Sequence, residues 1–238
     1  MALPIPEVSD ATIDALVHDI NQTGFGCIPG FVGQAELERM RAFVASAVAK
    51  SNHQYVGFTG KDTVVGSTLD EYADSAAFRD LFRRVYEAGT GRSSPDVVFY
   101  QVLRCLTGST ASAHSLNFHF DSYVVTGLIP VEIPQEGQAG DLIMIPNTRG
   151  IRKTYAANVF DKILLDNKLT QFALRQLTAM NRLPLTRIKM VPGNLYFFWG
   201  YRSIHTNEAC DPDKVRATAL FHHANPHAGS SRNRMAGN

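Results

Sequence analysis

What most constrains this chain is its second half. After Pro95, the segments 97–103, 116–133, 141–146, 187–191, 194–200 and 216–223 are rich in β-branched and aromatic residues, and each is bounded by Gly, Pro, Asn or Asp. Short strands punctuated in this way are satisfied by closing into a sandwich or barrel. Helical periodicity gathers ahead of them. Ile13, Leu16, Val17 and Ile20 recur at helical spacing behind Ser9, a residue able to cap the first turn, and Gly24 and Gly26 end that pattern. A short apolar piece, 25–31, leads to a second helix with the stripe Leu37, Met40, Val44 and Val48. A third helix is predicted over 74–89, with Phe78, Leu81, Phe82 and Val85 on one side. Between strands, 154–182 carries Val159, Ile163, Leu164, Phe172, Leu174, Leu177 and Met180 at mostly helical spacings. It reads as a helical insertion that covers a cavity mouth, forms an oligomer contact or simply packs. The expected organisation is one domain over 1–238: a helical part over 9–90, a β core over 95–225 interrupted by the insertion, and a small, polar, frayed tail from His227.

Composition narrows the function. At 238 residues, 45% hydrophobic and 19% charged, the chain is long enough for one substantial core. Its net charge of +1, from 23 basic and 22 acidic residues, builds in no broad attraction to nucleic acid or to an anionic membrane. Cys27, Cys105 and Cys210 are widely spaced and form no CxxC pair, so reduced thiols are expected rather than a disulfide framework or a zinc cluster. No leader-like start and no bilayer-length apolar run is present, and the expectation is a soluble cytoplasmic protein without membrane or nucleic-acid partners. The oligomeric state is left open.

Three local features carry chemistry. In 117–121 (NFHFD), His119 and Asp121 stand two residues apart in a strand-like run. An imidazole and a carboxylate can therefore reach one cation from the same face, while Phe118 and Phe120 pack on the other. Alone, such a pair equally describes a histidine hydrogen-bonded to an aspartate. His205 follows the strand-like 194–200 after a turn; by itself it is as well read as a structural histidine. With His119 and Asp121 it would complete a two-histidine, one-carboxylate set that leaves positions open on a ferrous ion. Arg216, eleven residues after His205, has a planar fork matched to a carboxylate, and Thr218 shares its strand face. The competing reading of Arg216 is a structural ion pair with an aspartate.

Taken together, HxD, a long gap, His and then Arg resemble the 2-oxoglutarate- and iron(II)-dependent oxygenase superfamily. The stretch 23–31 (TGFGCIPGF), lying between two helices, is similar to the opening of its phytanoyl-CoA dioxygenase-like branch. The resemblance implies a double-stranded β-helix, or jelly roll, of cupin-like architecture. It implies that His119, Asp121 and His205 hold Fe(II), and that Arg216 and Thr218 bind the distal carboxylate of 2-oxoglutarate. It implies dioxygen as the oxidant and succinate and CO2 as products. With Asp at 121, hydroxylation, or a related desaturation or cyclisation, is favoured over halogenation. Gln101, on an early strand, is a candidate co-substrate contact.

The expected substrate is a small molecule such as an amino acid or natural-product intermediate. Candidate contacts to it are Asn117, Arg149, Arg152, Tyr155, Tyr201 and Arg202, and Tyr100, Phe118, Tyr196, Phe198 and Trp199 are available to line a cavity. His114, His222, His223 and His227 have no partner at ligand spacing and are left out of the site. The alternative function is a non-catalytic cupin-like protein that binds a metal or an organic acid.

Overall fold

The computed structural model describes residues 3–228; the tail expected to fray lies, over 229–238, outside the described residues. The chain opens with α1 (Asp10–Thr23), β1 (Phe25–Ile28) and α2 (Gln34–Lys50), followed by β2 (Val56–Thr59), α3 (Leu69–Asp74) and α4 (Ala76–Thr90). Ser9 caps α1 by accepting from the Thr12 amide at 3.2 Å. Gly24 ends it with φ +100°, where a side chain would be strained and its Cβ would sit 2.6 Å from Pro146. The third predicted helix, 74–89, forms as α4, and the short α3 ahead of it was not expected. Ser75 is extended (ψ 125°), and its hydroxyl accepts from the Phe78 amide, so it stops α3 and caps α4.

The β core comprises β3 (Tyr100–Leu106), β4 (Val125–Glu132), β5 (Leu142–Ile145), β6 (Thr186–Ile188), β7 (Leu195–Phe198), β8 (Ile204–Asn207) and β9 (Arg216–His223), with α5 (Tyr155–Asp166) and α6 (Lys168–Ala179) inserted between β5 and β6. One sheet has six strands in the order β1-β7-β4-β9-β3-β2, the other three in the order β6-β5-β8. The strand pairs are antiparallel throughout. This is the jelly-roll arrangement with flanking helices.

Alternation along the strands decides what lies where. In β9, Ala217, Ala219 and Phe221 join the core beneath α1, α2 and α4, where Phe78 meets Phe82 and Phe221 edge-on at 5.0 and 4.9 Å. Between the sheets, Leu128, Tyr196 and Phe198 meet Leu142, Met144 and Ile188. Arg216, Thr218 and Leu220 project into this inner space. The long strand expected over 116–133 forms only at 125–132; residues 116–124 meet β8 only at the His119–His205 bridge and through the Leu116 amide, which donates to the Asn207 carbonyl at 2.8 Å. No described helix is long and apolar enough to cross a membrane.

His223, fully buried on the helix side of β9, sits 2.8 Å from the Ser94 hydroxyl through Nε2, while its Nδ1 has no hydrogen-bond partner. Burial pushes its pKa down from 6.5 to about 4. Between those pH values the unfolded chain takes a proton that the folded one refuses. Stability is therefore expected to fall as pH drops through this window, by up to ~3 kcal/mol from this group. Denaturant unfolding at stepped pH should show the loss, and His223→Gln should flatten it.

Candidate metal centre

His119 and His205 exchange backbone hydrogen bonds, each amide donating to the other's carbonyl at 3.1 Å, and this brings their rings to 4.4 Å between centroids. Each ring is then oriented by its own chain. His119 Nδ1 donates to the Asn117 carbonyl at 2.9 Å and His205 Nδ1 to the Ser203 carbonyl at 3.0 Å. A carbonyl can only accept, so both Nδ1 atoms carry a proton and both Nε2 atoms face the position a metal would take. Asp121 is placed by its amide, which donates to the Gly200 carbonyl at 2.9 Å, and its Oδ1 lies 3.4 Å from His205 Nε2 and 3.8 Å from His119 Nε2. One ligand atom from each residue falls within 4.8 Å of the others, a grouping able to hold one ion.

The second carboxylate oxygen of Asp121 accepts from the Thr126 hydroxyl at 2.5 Å, and that hydroxyl in turn accepts from His222 Nδ1 at 3.0 Å. Burial works against the Asp121 charge, but the His205 and His222 imidazoles outweigh it and hold the carboxyl well below its usual range. Partial desolvation, helped by the nearby His205, lowers the His119 pKa. At neutral pH the cluster thus offers an ionised carboxylate beside a neutral His119, which is the protonation a cation requires. His205 is itself desolvated, yet the charge and hydrogen bond of Asp121 raise its pKa above the ordinary value. A metal must displace that proton.

Gly200 makes the arrangement possible. A Cβ there would stand 2.0 Å from Asp121 Oδ2 and 2.5 Å from Thr126 Oγ1. Gly200→Ala is expected to push the carboxylate aside at a stability cost of about 1–3 kcal/mol and to weaken metal binding. Thermal unfolding with and without the metal reads both effects.

The insertion explains how 116–122 keeps its shape although β8 pairs with it only at Leu116 and His119. Gln171 of α6 clamps Phe118 on both sides, accepting from its amide at 3.1 Å and donating to its carbonyl at 2.8 Å. Arg175 donates to the Leu116 carbonyl at 3.0 Å and to Asn117 Oδ1 at 2.7 Å. From α5, Lys162 donates to the Ser122 hydroxyl at 2.8 Å. Phe118, Phe120, Ile143 and Leu165 close the apolar side. Gln171→Leu removes the clamp one residue from His119 and is expected to lower metal affinity roughly tenfold, the loss typical when support behind a ligand is removed. Calorimetric titration of the metal tests this.

Next to the cluster, Arg216 is buried. Its Nε donates to the Gly140 carbonyl at 2.6 Å and its Nη1 to the Thr218 hydroxyl at 3.3 Å. Among the described residues no carboxylate forms an ion pair with it. Burial, with the repulsion of Arg104, lowers its pKa to about 9. His119, His205, Arg216, Thr218, Phe198 and Arg104 line one cavity.

The other sequence candidates land elsewhere. Gln101 shares the helix-facing side of β3 with Leu103 and Cys105, and its amide donates to the Leu69 carbonyl at 3.0 Å; it does not reach the cavity. Arg149 is spent on structure: it donates to the Tyr201 carbonyl (2.8 Å), Asp161 (2.8 Å) and Asn158 (3.0 Å), with its guanidinium 3.7 Å from the centre of the Phe120 ring and 4.3 Å from that of Tyr201. Arg152 pairs with the same Asp161. Asn117 is bound to Ala113 and Arg175, and the buried Tyr201 hydroxyl lies 3.1 Å from His227 Nε2. Trp199 packs in the helix-side core, whereas Phe198 sits 4.9 Å from His205. Sequence reasoning set His222 aside and passed over Thr126, Arg104 and Gln171. The inward parity of β9, shared by Arg216, Thr218 and His222, was the available signal for His222.

No family model matches the chain, and no curated protein matches it in sequence. Solved structures do match its fold. A prolyl hydroxylase in complex with a hypoxia-inducible-factor peptide, from Trichoplax adhaerens, is 13% identical with TM-score 0.56, over 96% of this chain and 94% of that one. A Pseudomonas putida prolyl-4-hydroxylase is 13% identical with TM-score 0.54, over 94% and 98%. The epimerase SnoN from nogalamycin biosynthesis, in complex with Fe3+, alpha-ketoglutarate and nogalamycin RO, is 11% identical with TM-score 0.56, over 91% and 85%. The chain thus has the fold of the jelly-roll oxygenases, and within that fold His119, Asp121 and His205 form a group able to hold a metal ion.

Proposed function

We propose that the protein is an Fe(II)- and 2-oxoglutarate-dependent dioxygenase that hydroxylates an unactivated C–H bond of a small molecule. The observation that carries this reading is a buried guanidinium, Arg216, with no carboxylate partner among the described residues, opening into the same cavity as His119 and His205 of the ligand set. An unpaired buried cation is costly and calls for an anion, and the three ligands alone leave vacant positions on a ferrous ion. Together they fit a 2-oxo diacid held at both ends. When bound, iron, 2-oxoglutarate and dioxygen supply an oxidant able to attack such a bond, with release of succinate and CO2.

The chain's own residues prepare this. Arg216 and Thr218 fix the diacid, His205 and His119 present their Nε2 atoms, and Thr126 with His222 holds the Asp121 carboxylate at one orientation. Phe198, Leu128 and Leu220 keep the inner end of the cavity apolar. The 23–31 stretch supports placement in the phytanoyl-CoA dioxygenase-like branch. A protein that only bound metal would have no use for Arg216. Purified protein given Fe(II), 2-oxoglutarate and air in the presence of a metabolite panel is expected to release succinate in an iron-dependent way. Failure to convert 2-oxoglutarate under every condition would overturn the reading.

A further inference from the structure

Arg104 sits on β3 directly opposite Thr218 of β9, and its side chain lines the cavity that holds His119, His205 and Arg216. One arm is fixed: Nη2 donates to the His114 carbonyl at 3.1 Å. The guanidinium also lies 6.0 Å from the centre of the Tyr55 ring, which itself stacks on His114 at 3.5 Å. No carboxylate among the described residues pairs with it, and neither Nε nor Nη1 has a hydrogen-bond partner there. Two arginines without acids therefore share one small cavity, although one suffices for the distal carboxylate of a diacid.

Charge balance says what the second arginine is for. A ferrous ion, the Asp121 carboxylate, doubly charged 2-oxoglutarate and Arg216 cancel. Arg104 then remains as a single uncompensated positive charge within the cavity, and Lys162, tied to Ser122, lies outside its lining. With Nε, Nη1 and the second Nη2 hydrogen uncommitted, one edge of the guanidinium remains open to hold a singly charged planar anion at two points.

We infer that the substrate carries a carboxylate and that Arg104 binds it, so that the enzyme discriminates free acids from their neutral derivatives. This rests on the proposed dioxygenase function. A doubly charged phosphate group would overshoot the balance and is a less suitable partner than a carboxylate.

The test separates the two claims. Under anaerobic conditions, protein with Fe(II) and 2-oxoglutarate should develop a visible charge-transfer band. If unmutated protein shows none, the dioxygenase reading has failed. With the band present, the proteinogenic amino acids and straight-chain monocarboxylic acids are each assayed beside the corresponding primary amide for stimulated succinate release. The expected result is stimulation by one or more acids and by none of the amides. Arg104→Gln is expected to lower that stimulation about tenfold or more, the loss of a charged hydrogen-bonded contact, with partial recovery in Arg104→Lys. Persistence of the band in Arg104→Gln shows that the variant is folded and still takes up 2-oxoglutarate. The inference is overturned if amides stimulate as well as acids, if no acid stimulates, if Arg104→Gln responds like the parent, or if Arg104→Gln loses the band, which would assign Arg104 to the co-substrate.

Discussion

Arg216→Ala is expected to lose 2-oxoglutarate binding by a factor on the order of 100 or more. Deleting one partner of a buried, hydrogen-bonded charge pair typically costs about 3–5 kcal/mol, and Arg216 is buried with its guanidinium already aimed by Gly140 and Thr218. The effect on the ligand-free protein should be small by comparison. There the guanidinium is an unpaired cation in a desolvated site, so its removal relieves a cost as well as deleting two hydrogen bonds. Titration of 2-oxoglutarate into Fe(II)-loaded protein, set beside melting of the ligand-free variant, separates the two roles. A variant that melts far below the parent and binds 2-oxoglutarate normally once folded would show that Arg216 is structural.

His119→Ala is expected to abolish stoichiometric Fe(II) binding and, with it, succinate formation. Of the three ligand residues His119 is the least enclosed, its side chain 42% exposed against 5% for His205 and 8% for Asp121. Truncating it therefore leaves no buried donor or acceptor stranded. Asp121→Ala would also orphan the Thr126 hydroxyl and disturb His222, mixing folding with metal binding. Equilibrium dialysis against Fe(II), with unfolding monitored in parallel, should find the metal gone and the fold kept. Retained stoichiometric iron and turnover in His119→Ala would mean that a different imidazole is the ligand.

The parts of the site legible in the sequence were those governed by strand parity over short distances. His119 and Asp121, two apart, do point together, as do Arg216 and Thr218, because successive side chains of an extended chain alternate. The flanking phenylalanines at 118 and 120 are buried on the opposite side, as that parity requires. At β3 parity was not applied: Gln101 was chosen only for lying on an early strand, but it shares a face with Leu103 and Cys105, whose apolar character marks the helix side, while Arg104 is on the inward face. What stayed illegible depended on contacts far apart in the chain. Nothing local says that Arg149 will be consumed by Asp161 and Asn158, or that Gln171 will replace a missing strand beside Phe118. Residues 116–124 have strand-like composition, yet side chains from α6 satisfy part of their backbone, so composition overstated that strand. The strand segments and N-terminal helices pointed only as far as a sandwich or barrel; the jelly roll itself came from the family resemblance. The short α3 was missed because its six residues carry too little periodicity to stand out, and Ser75, which ends it, identifies itself as the cap of α4 only through its extended ψ.

The central claim is that one cavity holds a metal on His119, Asp121 and His205 and a diacid on Arg216. Anaerobic titration of 2-oxoglutarate into the Fe(II)-loaded protein, followed by visible absorption, tests it most directly. A saturable charge-transfer band at one equivalent of iron is predicted, absent from His119→Ala and from Arg216→Ala. A protein that binds iron without developing the band, or a band that survives both substitutions, would contradict it.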